Sequence, residues 1–423
     1  MATPTWRIRR SAESGIGIDC VRTLAVLAAA ILLAGALRQA DRPILILISL
    51  DGWRWDYLDR AKAPNLRALA AAGVRAEGLI PSFPTKTFPN HYTIVTGLTP
   101  EHHGIVSNTM VDRSIGPDRF TMSSATAKDA RWWGGEPLWV TAIRQGRRAS
   151  ILFWPGSEAP IGGIRPHDWI PYSDAFPNRE RVDRLLAWLA RPEGERPAFA
   201  TLYFSDVDAI GHRAGPDSAA VLAAAEGLDA LIGVLVAGVE KLGLAARTNY
   251  VIVSDHGMSS LSGDRTIFVD DYIDPATVDI VEMSPVLQIL PRSASVDDAY
   301  RALKGRHPSL AVYKRDEVPE HLHYRSHPRI PPIVAVADDG WTIALRSRSL
   351  VRPGGDRGGD HGYDPKYRSM LGLFIASGPA FRRGEVVPAL ENIHLYEMMC
   401  RALGLTPAPN DGDPAVARRL LAR

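Results

Sequence analysis

Asp51 ends the apolar run ILILISL (44–50). Asp208 and His212 stand four residues apart in DVDAIGH, just after FATLYFS. Asp255 and His256 follow YVIVS, and His361 lies in GGDHGYD. These three carboxylates and three imidazoles suit two metal ions, each with about three protein ligands and open positions for chemistry. Oxygen and nitrogen donors without thiolate favour Zn²⁺. Each piece alone has an ordinary reading. An aspartate at a strand end commonly caps a helix or turn, and a lone DxxxH is a surface pair. Recurrence at successive strand ends carries the metal reading. Gly211, Gly257 and Gly362 adjoin these groups and are expected to let backbone turn tightly beside them. The other histidines, His91 and the HLHYRSH cluster (321–327) among them, read as packing, surface or supporting residues.

The stretch PSFPTKTFPNHYTIVTG (81–97) adds four threonines. Pro89 belongs in the first turn of a helix that Gly97 ends. Thr87 is then expected just before that helix, where free N–H groups and the helix dipole favour an anion. Thr93 and Thr96 fall inside it, where hydroxyls bond back to the backbone. Thr87 is therefore the hydroxyl with a place to attack from. A threonine needs activation, which a metal ion can supply. Without the Asp/His groups, Thr87 would read as a helix cap.

The elements that must position these residues are buried strands: ILILISL, ASILFW (149–154), FATLYF (199–204), YVIVS (250–254) and LGLFIAS (371–377). Helices lie between them, clearest from Asp217 to about Leu242 with Val221, Leu228, Leu231, Leu235 and Val239 on one stripe. Strand–helix alternation predicts an α/β sandwich around a mostly parallel sheet. In such sheets ligands bind at the carboxyl ends of strands. Residues 260–350 break the rhythm, with short strand-like pieces (VLQILP, LAVYK, PIVAVA, WTIAL) around SVDDAYRALKG. They read as a small inserted α+β capping subdomain between catalytic-domain parts at 41–259 and 351–423.

The chain has 423 residues, 46% of them apolar, and a formal net charge of +2. That supplies a large core and no strong field toward nucleic acid or an anionic membrane. Arg7, Arg9, Arg10 and Arg22 precede an uncharged apolar run, Thr23 to Leu37, with small residues after it. This layout reads as a signal peptide over 1–40, with an uncleaved anchor as the alternative. Cys20 would leave with it, and Cys400 would be alone, so no internal disulfide is expected.

The segments KTFPNHYTIVTGLTPEHHGIVSN, SLDGWRWDYL, WWGGEPLW, FWPGSE, DAIGHRAGP, SDHGM and DHGYDP together resemble the nucleotide pyrophosphatase/phosphodiesterase family of the alkaline phosphatase superfamily. The likeness runs from about 42 to 410, in the family's order, and is similar to that of a compact bacterial-type member. One departure is Val207-Asp208 where the family often has Pro-Asp. The resemblance implies an alkaline-phosphatase-like three-layer sandwich and two zinc ions. Asp208, His212 and His361 match the ligands of one; Asp51, Asp255 and His256 match those of the other, which also binds Thr87. Thr87 matches the nucleophile and Asn108 the donor to a non-bridging phosphate oxygen, helped by the backbone N–H after Thr87. Phe88 and Tyr172 match aromatics that sandwich a base.

The function so implied is an exported two-zinc phosphodiesterase/pyrophosphatase, periplasmic or extracellular. It would convert ATP to AMP and pyrophosphate through a phosphothreonine, with little base discrimination. Its partner is a nucleotide or another small phosphodiester, with no nucleic-acid partner and no membrane partner beyond the signal peptide. The alternatives are a phosphomonoesterase or a choline-phosphate (lysophospholipase C-like) diesterase on the same metals. A non-catalytic binding protein would have lost a ligand or the nucleophile, and this chain keeps all of them. A sulfatase would need a Cys- or Ser-x-Pro-x-Arg element that is not there.

Overall fold

The computed structural model describes residues 1–5, 42–123, 125–348 and 356–422. The expected signal peptide and Cys20 lie outside the described residues. The central sheet has eight strands: β1 (Ile44–Leu50), β2 (Val74–Ala76), β3 (Ala149–Leu152), β4 (Asp168–Ile170), β5 (Phe199–Phe204), β6 (Thr248–Val253), β7 (Phe374–Ser377) and β8 (Glu385–Val387). Their spatial order is β8-β2-β7-β6-β1-β5-β3-β4. Every pairing is parallel except the two made by β7, which runs against β2 and β6. The predicted run LGLFIAS thus forms a shorter strand, reversed in direction.

β1 is buried along its whole length. Its side chains alternate between two cores, as a pleated strand covered on both faces requires. Leu45 and Leu47 join one core with Tyr92, Trp139 and Met399. Ile44, Ile46, Ile48 and Leu50 join the other with Leu66, Val182 and Leu228. Helix α1 (Thr87–Thr96) packs on the first face. Helix α3 (Ala219–Lys241), which follows α2 (Asp206–Ala214), packs on the second. The result is three layers.

Helix α3 is, among the described residues, the one helix long and apolar enough by length and composition to cross a membrane. Its stripe Val221, Ala225, Leu228, Ile232, Leu235 and Val239 is buried against the sheet, while Leu231, expected on it, is half-buried. Its buried Asp229 accepts the N–H groups of Asn65 and Leu66, at 3.2 and 2.8 Å, at the start of helix Pro64–Ala72. An anion there meets the unpaired donors and positive end of a helix.

Residues 278–337 build a separate four-stranded antiparallel sheet, from Val278–Glu282, Val286–Pro291, Ile333–Ala337 and Leu310–Lys314 in spatial order. It has its own core, with Leu287, Ile289, Ala299, Leu303, Val312 and Ala335.

Candidate active site

Strands β1, β5 and β6 lie side by side and parallel, so their carboxyl ends open on one edge of the sheet. Asp51 leaves β1 with its N–H on the carbonyl of Phe204, at 2.9 Å. Gly52 turns the chain away at φ +66°. A Cβ there would stand 2.8 Å from the Asp208 Cα, so only glycine lets helix α2 come this close. The Asp208 N–H in turn reaches the Asp51 carbonyl at 3.1 Å. Gly358, at φ +79°, plays the same part for the segment before His361, since a Cβ would sit 1.9 Å from the His212 carbonyl oxygen. Of the three glycines singled out in the sequence, only Gly362 has a positive φ. Gly211 lies inside α2, while a Cβ on Gly257 would sit 2.1 Å from the Ser369 carbonyl oxygen, so Gly257 allows a close approach as Gly52 and Gly358 do.

The six Asp/His residues lie near one another, though not divided as the resemblance implies. Candidate ligand atoms of Asp208, His212 and His361 lie within 4.8 Å of one another, as do those of Asp51, Asp208 and His256 and those of Asp51, His91 and Asp255. His256 Nε2 stands 3.0 Å from Asp255 Oδ2, 3.4 Å from Asp51 Oδ1 and 3.4 Å from Thr87 Oγ1. The His256 and His361 rings stack at 3.4 Å between centroids.

Two observations test whether these residues fit metal ions. First, buried Asp51 Oδ1, Asp208 Oδ1 and both carboxylate oxygens of Asp255 have no hydrogen-bond donor. Bare carboxylate oxygens in a dry site are costly unless a cation faces them. Second, three histidines point Nδ1 at a backbone carbonyl: His212 at Gly359 (2.9 Å), His361 at Thr85 (2.9 Å) and His256 at Gly257 (2.8 Å). A carbonyl only accepts, so Nδ1 carries the proton and Nε2 is the nitrogen turned to the cluster. That is how metal-ligating histidines are held. The residues fit.

The charges are coupled. Burial, with the neighbouring Asp255 and Asp208 charges, holds Asp51 well above the usual carboxylate range. Burial also acts on Asp255, but His256 and His91 outweigh it and bring that carboxyl well below. Burial and the nearby His256 and His212 charges keep His361 well below the ordinary imidazole value, in its neutral form.

Sequence reasoning left His91 among packing, surface or supporting residues and missed Tyr203. His91 is fully buried. It donates Nδ1–H to the Thr87 carbonyl at 2.8 Å, stands 3.3 Å from Asp255 Oδ2, and meets the Ser49 hydroxyl through Nε2 at 2.8 Å. Both nitrogens are engaged by protein, so it ties the Thr87 turn to Asp255. The signal was its position four residues after Thr87 on one helix. Tyr203 donates its hydroxyl to Asp51 Oδ2 at 2.6 Å. Only the sheet pairing of β1 with β5 reveals that contact. The HLHYRSH histidines join no metal-type group among the described residues.

Thr87 is the first residue of α1 rather than the one before it, because the Asn90 N–H already reaches back to the Lys86 carbonyl at 3.2 Å. A further difference concerns the backbone donor after Thr87. The Phe88 N–H donates to Asn108 Oδ1 at 2.9 Å. It is already engaged, and Asn108 is left as the donor through Nδ2.

A cavity of about 510 Å³ opens from Asp51, Thr87 and Asp208. Phe88 and Tyr172 both line it, with Met122, Trp133, Phe153 and Trp154 as apolar wall. Phe88 is braced edge-on by Phe120, and Tyr172 by Phe153 and Tyr203. Lys128 and Glu158, 3.3 Å apart, add one ion pair.

An α/β sandwich with a threonine hydroxyl and paired Asp/His clusters at the strand ends defines a phosphate-ester hydrolase of metal-dependent type. Residues 45–364 match the family described as type I phosphodiesterase / nucleotide pyrophosphatase, and the chain belongs to that family. It is a hydrolase acting on phosphodiester and pyrophosphate bonds. It is 39% identical over 91% of its length to a frog (Xenopus laevis) protein named bis(5'-adenosyl)-triphosphatase enpp4, covering 83% of that protein. It is 37% identical over 89% of its length to human ectonucleotide pyrophosphatase/phosphodiesterase family member 5, covering 77% of it. The fold superposes on murine ectonucleotide pyrophosphatase/phosphodiesterase 5 with a TM-score of 0.85 at 35% identity, over 90% of this chain and all of that one. The murine protein is in an inactive threonine-to-alanine form bound to AMP. The architecture is alkaline-phosphatase-like, as expected.

Proposed function

We propose that the protein is an exported two-zinc phosphodiesterase and pyrophosphatase that cleaves nucleotides, ATP to AMP and pyrophosphate among them, through a covalent phosphothreonine at Thr87. The supporting observation is one cavity with Thr87, Asp51 and Asp208 at one end, the last two belonging to the Asp/His groups, and Phe88 and Tyr172 along its walls. The inactive threonine-to-alanine form of the murine relative and its bound AMP point the same way.

Asp208, His212 and His361 would hold one zinc ion, and Asp51, Asp255 and His256 the other, beside Thr87. When bound, the ions supply Lewis-acid polarisation and lower the pKa of hydroxyl or water. The chain's own residues do the rest. Thr87 Oγ1 forms a bond to phosphorus as the leaving-group oxygen departs with its electron pair, and water then cleaves the phosphothreonine. Asn108, oriented by the Phe88 N–H, offers Nδ2 to a non-bridging oxygen. Phe88 and Tyr172 hold the base by stacking, on the order of 1–3 kcal/mol per base.

Export rests on the arginine-flanked apolar run, and a bacterial-type origin on the compact motif layout; both belong to this proposal, the relatives above being vertebrate. We also read residues 260–350 as an inserted cap. In support, buried Lys86, next to Thr87, donates to the Ser284 carbonyl at 2.9 Å.

The test compares kcat/KM for the nitrophenyl ester of thymidine 5′-monophosphate, plain nitrophenyl phosphate and a nitrophenyl choline phosphodiester on zinc-loaded protein. A large preference for the nucleotide diester is expected. Preference for either of the others would remove the nucleotide assignment and the roles of Phe88 and Tyr172.

A further inference from the structure

A second cavity, about 330 Å³, adjoins the catalytic one and shares Asp174, Ser205 and Ala209 with it. Arg181 and Arg213 line it. Arg181 is 3% exposed; its guanidinium lies 5.0 Å over the Phe153 ring, and the Asp206 and Asp174 charges act on it without a direct hydrogen bond among the described residues. Its Nε donates to the Phe176 carbonyl at 2.9 Å and Nη1 to the Tyr203 carbonyl at 3.0 Å, while Nη2 has no acceptor among the described residues. Arg213, exposed one residue after His212, has neither an ion pair nor a hydrogen bond among the described residues.

The cavity's carboxylates are already held by neutral donors. Asp206 accepts from Asn178 Nδ2 at 2.9 Å on both oxygens, and Asp174 accepts the Tyr172 hydroxyl. The guanidinium donors are the groups left open. Only neutral carbonyls accept from the buried Arg181 guanidinium, and a guanidinium fork suits phosphate.

The place of the cavity says which phosphate. With phosphorus at Thr87 and the base between Phe88 and Tyr172, the ribose lies between them, and the shared Ser205 and Ala209 flank the position next to Asp208. We infer that the side cavity takes a second phosphate carried on the 2′- or 3′-hydroxyl of the ribose. Ribose-phosphorylated nucleotides are then a preferred substrate class. This rests on the nucleotide reading above.

The experiment measures inhibition constants of AMP, adenosine 2′,5′-bisphosphate and adenosine 3′,5′-bisphosphate against the thymidine nitrophenyl ester, on the zinc-loaded enzyme. One bisphosphate is expected to bind at least about tenfold tighter than AMP, a charge-assisted contact being worth that much. Arg213→Gln should shrink that ratio to about threefold or less, and Arg181→Met should remove it. Because Arg181 also holds two carbonyls, the exposed Arg213 variant carries the test if the other fails to fold. Bisphosphates no tighter than AMP, or a ratio unchanged in Arg213→Gln, would overturn the inference. So would inorganic phosphate added with AMP reproducing the gain, which would assign the cavity to a free anion. If AMP itself fails to compete, the nucleotide reading falls, and the inference with it.

Discussion

Asn108 accepts the Phe88 N–H through Oδ1 at 2.9 Å. A backbone N–H must face an acceptor, so this bond sets the amide's orientation and turns Nδ2 outward. Asn108→Ala should lower kcat by about 10²–10³, the usual cost of one such donor. Asn108→Asp should do no better, since a carboxylate cannot donate. Zinc content should stay that of the wild type. A loss of kcat under about tenfold would dismiss the donor role.

Tyr203 holds Asp51 from outside the cluster at 2.6 Å. Tyr203→Phe keeps the ring against Tyr172 and His91 but removes the hydroxyl. Outer partners of metal ligands are typically worth 10–100-fold in affinity. Zinc affinity, measured against a competing chelator, should weaken by about that factor. Saturating zinc should restore most of kcat.

His91 joins Ser49, Thr87 and Asp255. His91→Phe fills the space but leaves the Ser49 hydroxyl and the Thr87 carbonyl without their His91 partner. Buried groups left so cost about 1–3 kcal/mol each. Urea unfolding should show a loss of that order, and kcat should fall more than KM changes, because the Thr87 turn loses its tether. An unchanged urea midpoint would show that the contacts contribute little.

His103 gives a pH dependence away from the metal cluster. It is fully buried; Nδ1 accepts the Ile105 N–H at 3.1 Å and Nε2 meets the Thr93 hydroxyl at 3.0 Å. Burial pushes its pKa down to about 3. The unfolded chain takes up this proton near the ordinary histidine value, about 6.5. Stability from keeping His103 neutral is therefore present above pH about 6.5 and is lost progressively as pH falls toward 3. The stability difference between wild type and His103→Gln, followed by urea unfolding from pH 7.5 to 5, should move against the wild type on acidification.

Thr87→Ala should abolish turnover while the protein still takes up two zinc ions per chain. Stripping the metal with a chelator should give the same loss in the wild type, restored by zinc. Substantial turnover by the variant would refute the nucleophile assignment.

Much of this was legible in one dimension because the signals are local. A fully buried parallel strand must be a continuous apolar run, and three such runs, followed closely by Asp51, Asp208 and Asp255, put carboxylates near one sheet edge. Thr87 was legible because Pro89 and Gly97 bracket its helix. Other features depend on contacts between distant segments. The reversal of β7 follows from its pairing with β6, and an apolar run has no direction.

By itself, then, the sequence determined the layered α/β class, the six Asp/His groups and Thr87, through hydrophobic continuity and strand-end placement. Only the tertiary structure decided the rest. Gly52 and Gly358 join Gly257 in allowing close approaches, because the clashing backbone comes from residues far along the chain. His91 and Tyr203 support the cluster, and Arg181 opens on a side cavity, because their partners are set by pairing of strands and packing of helices. Hydrogen bonds and cavities form between segments that meet only on folding, so their geometry is written in no single stretch of the chain.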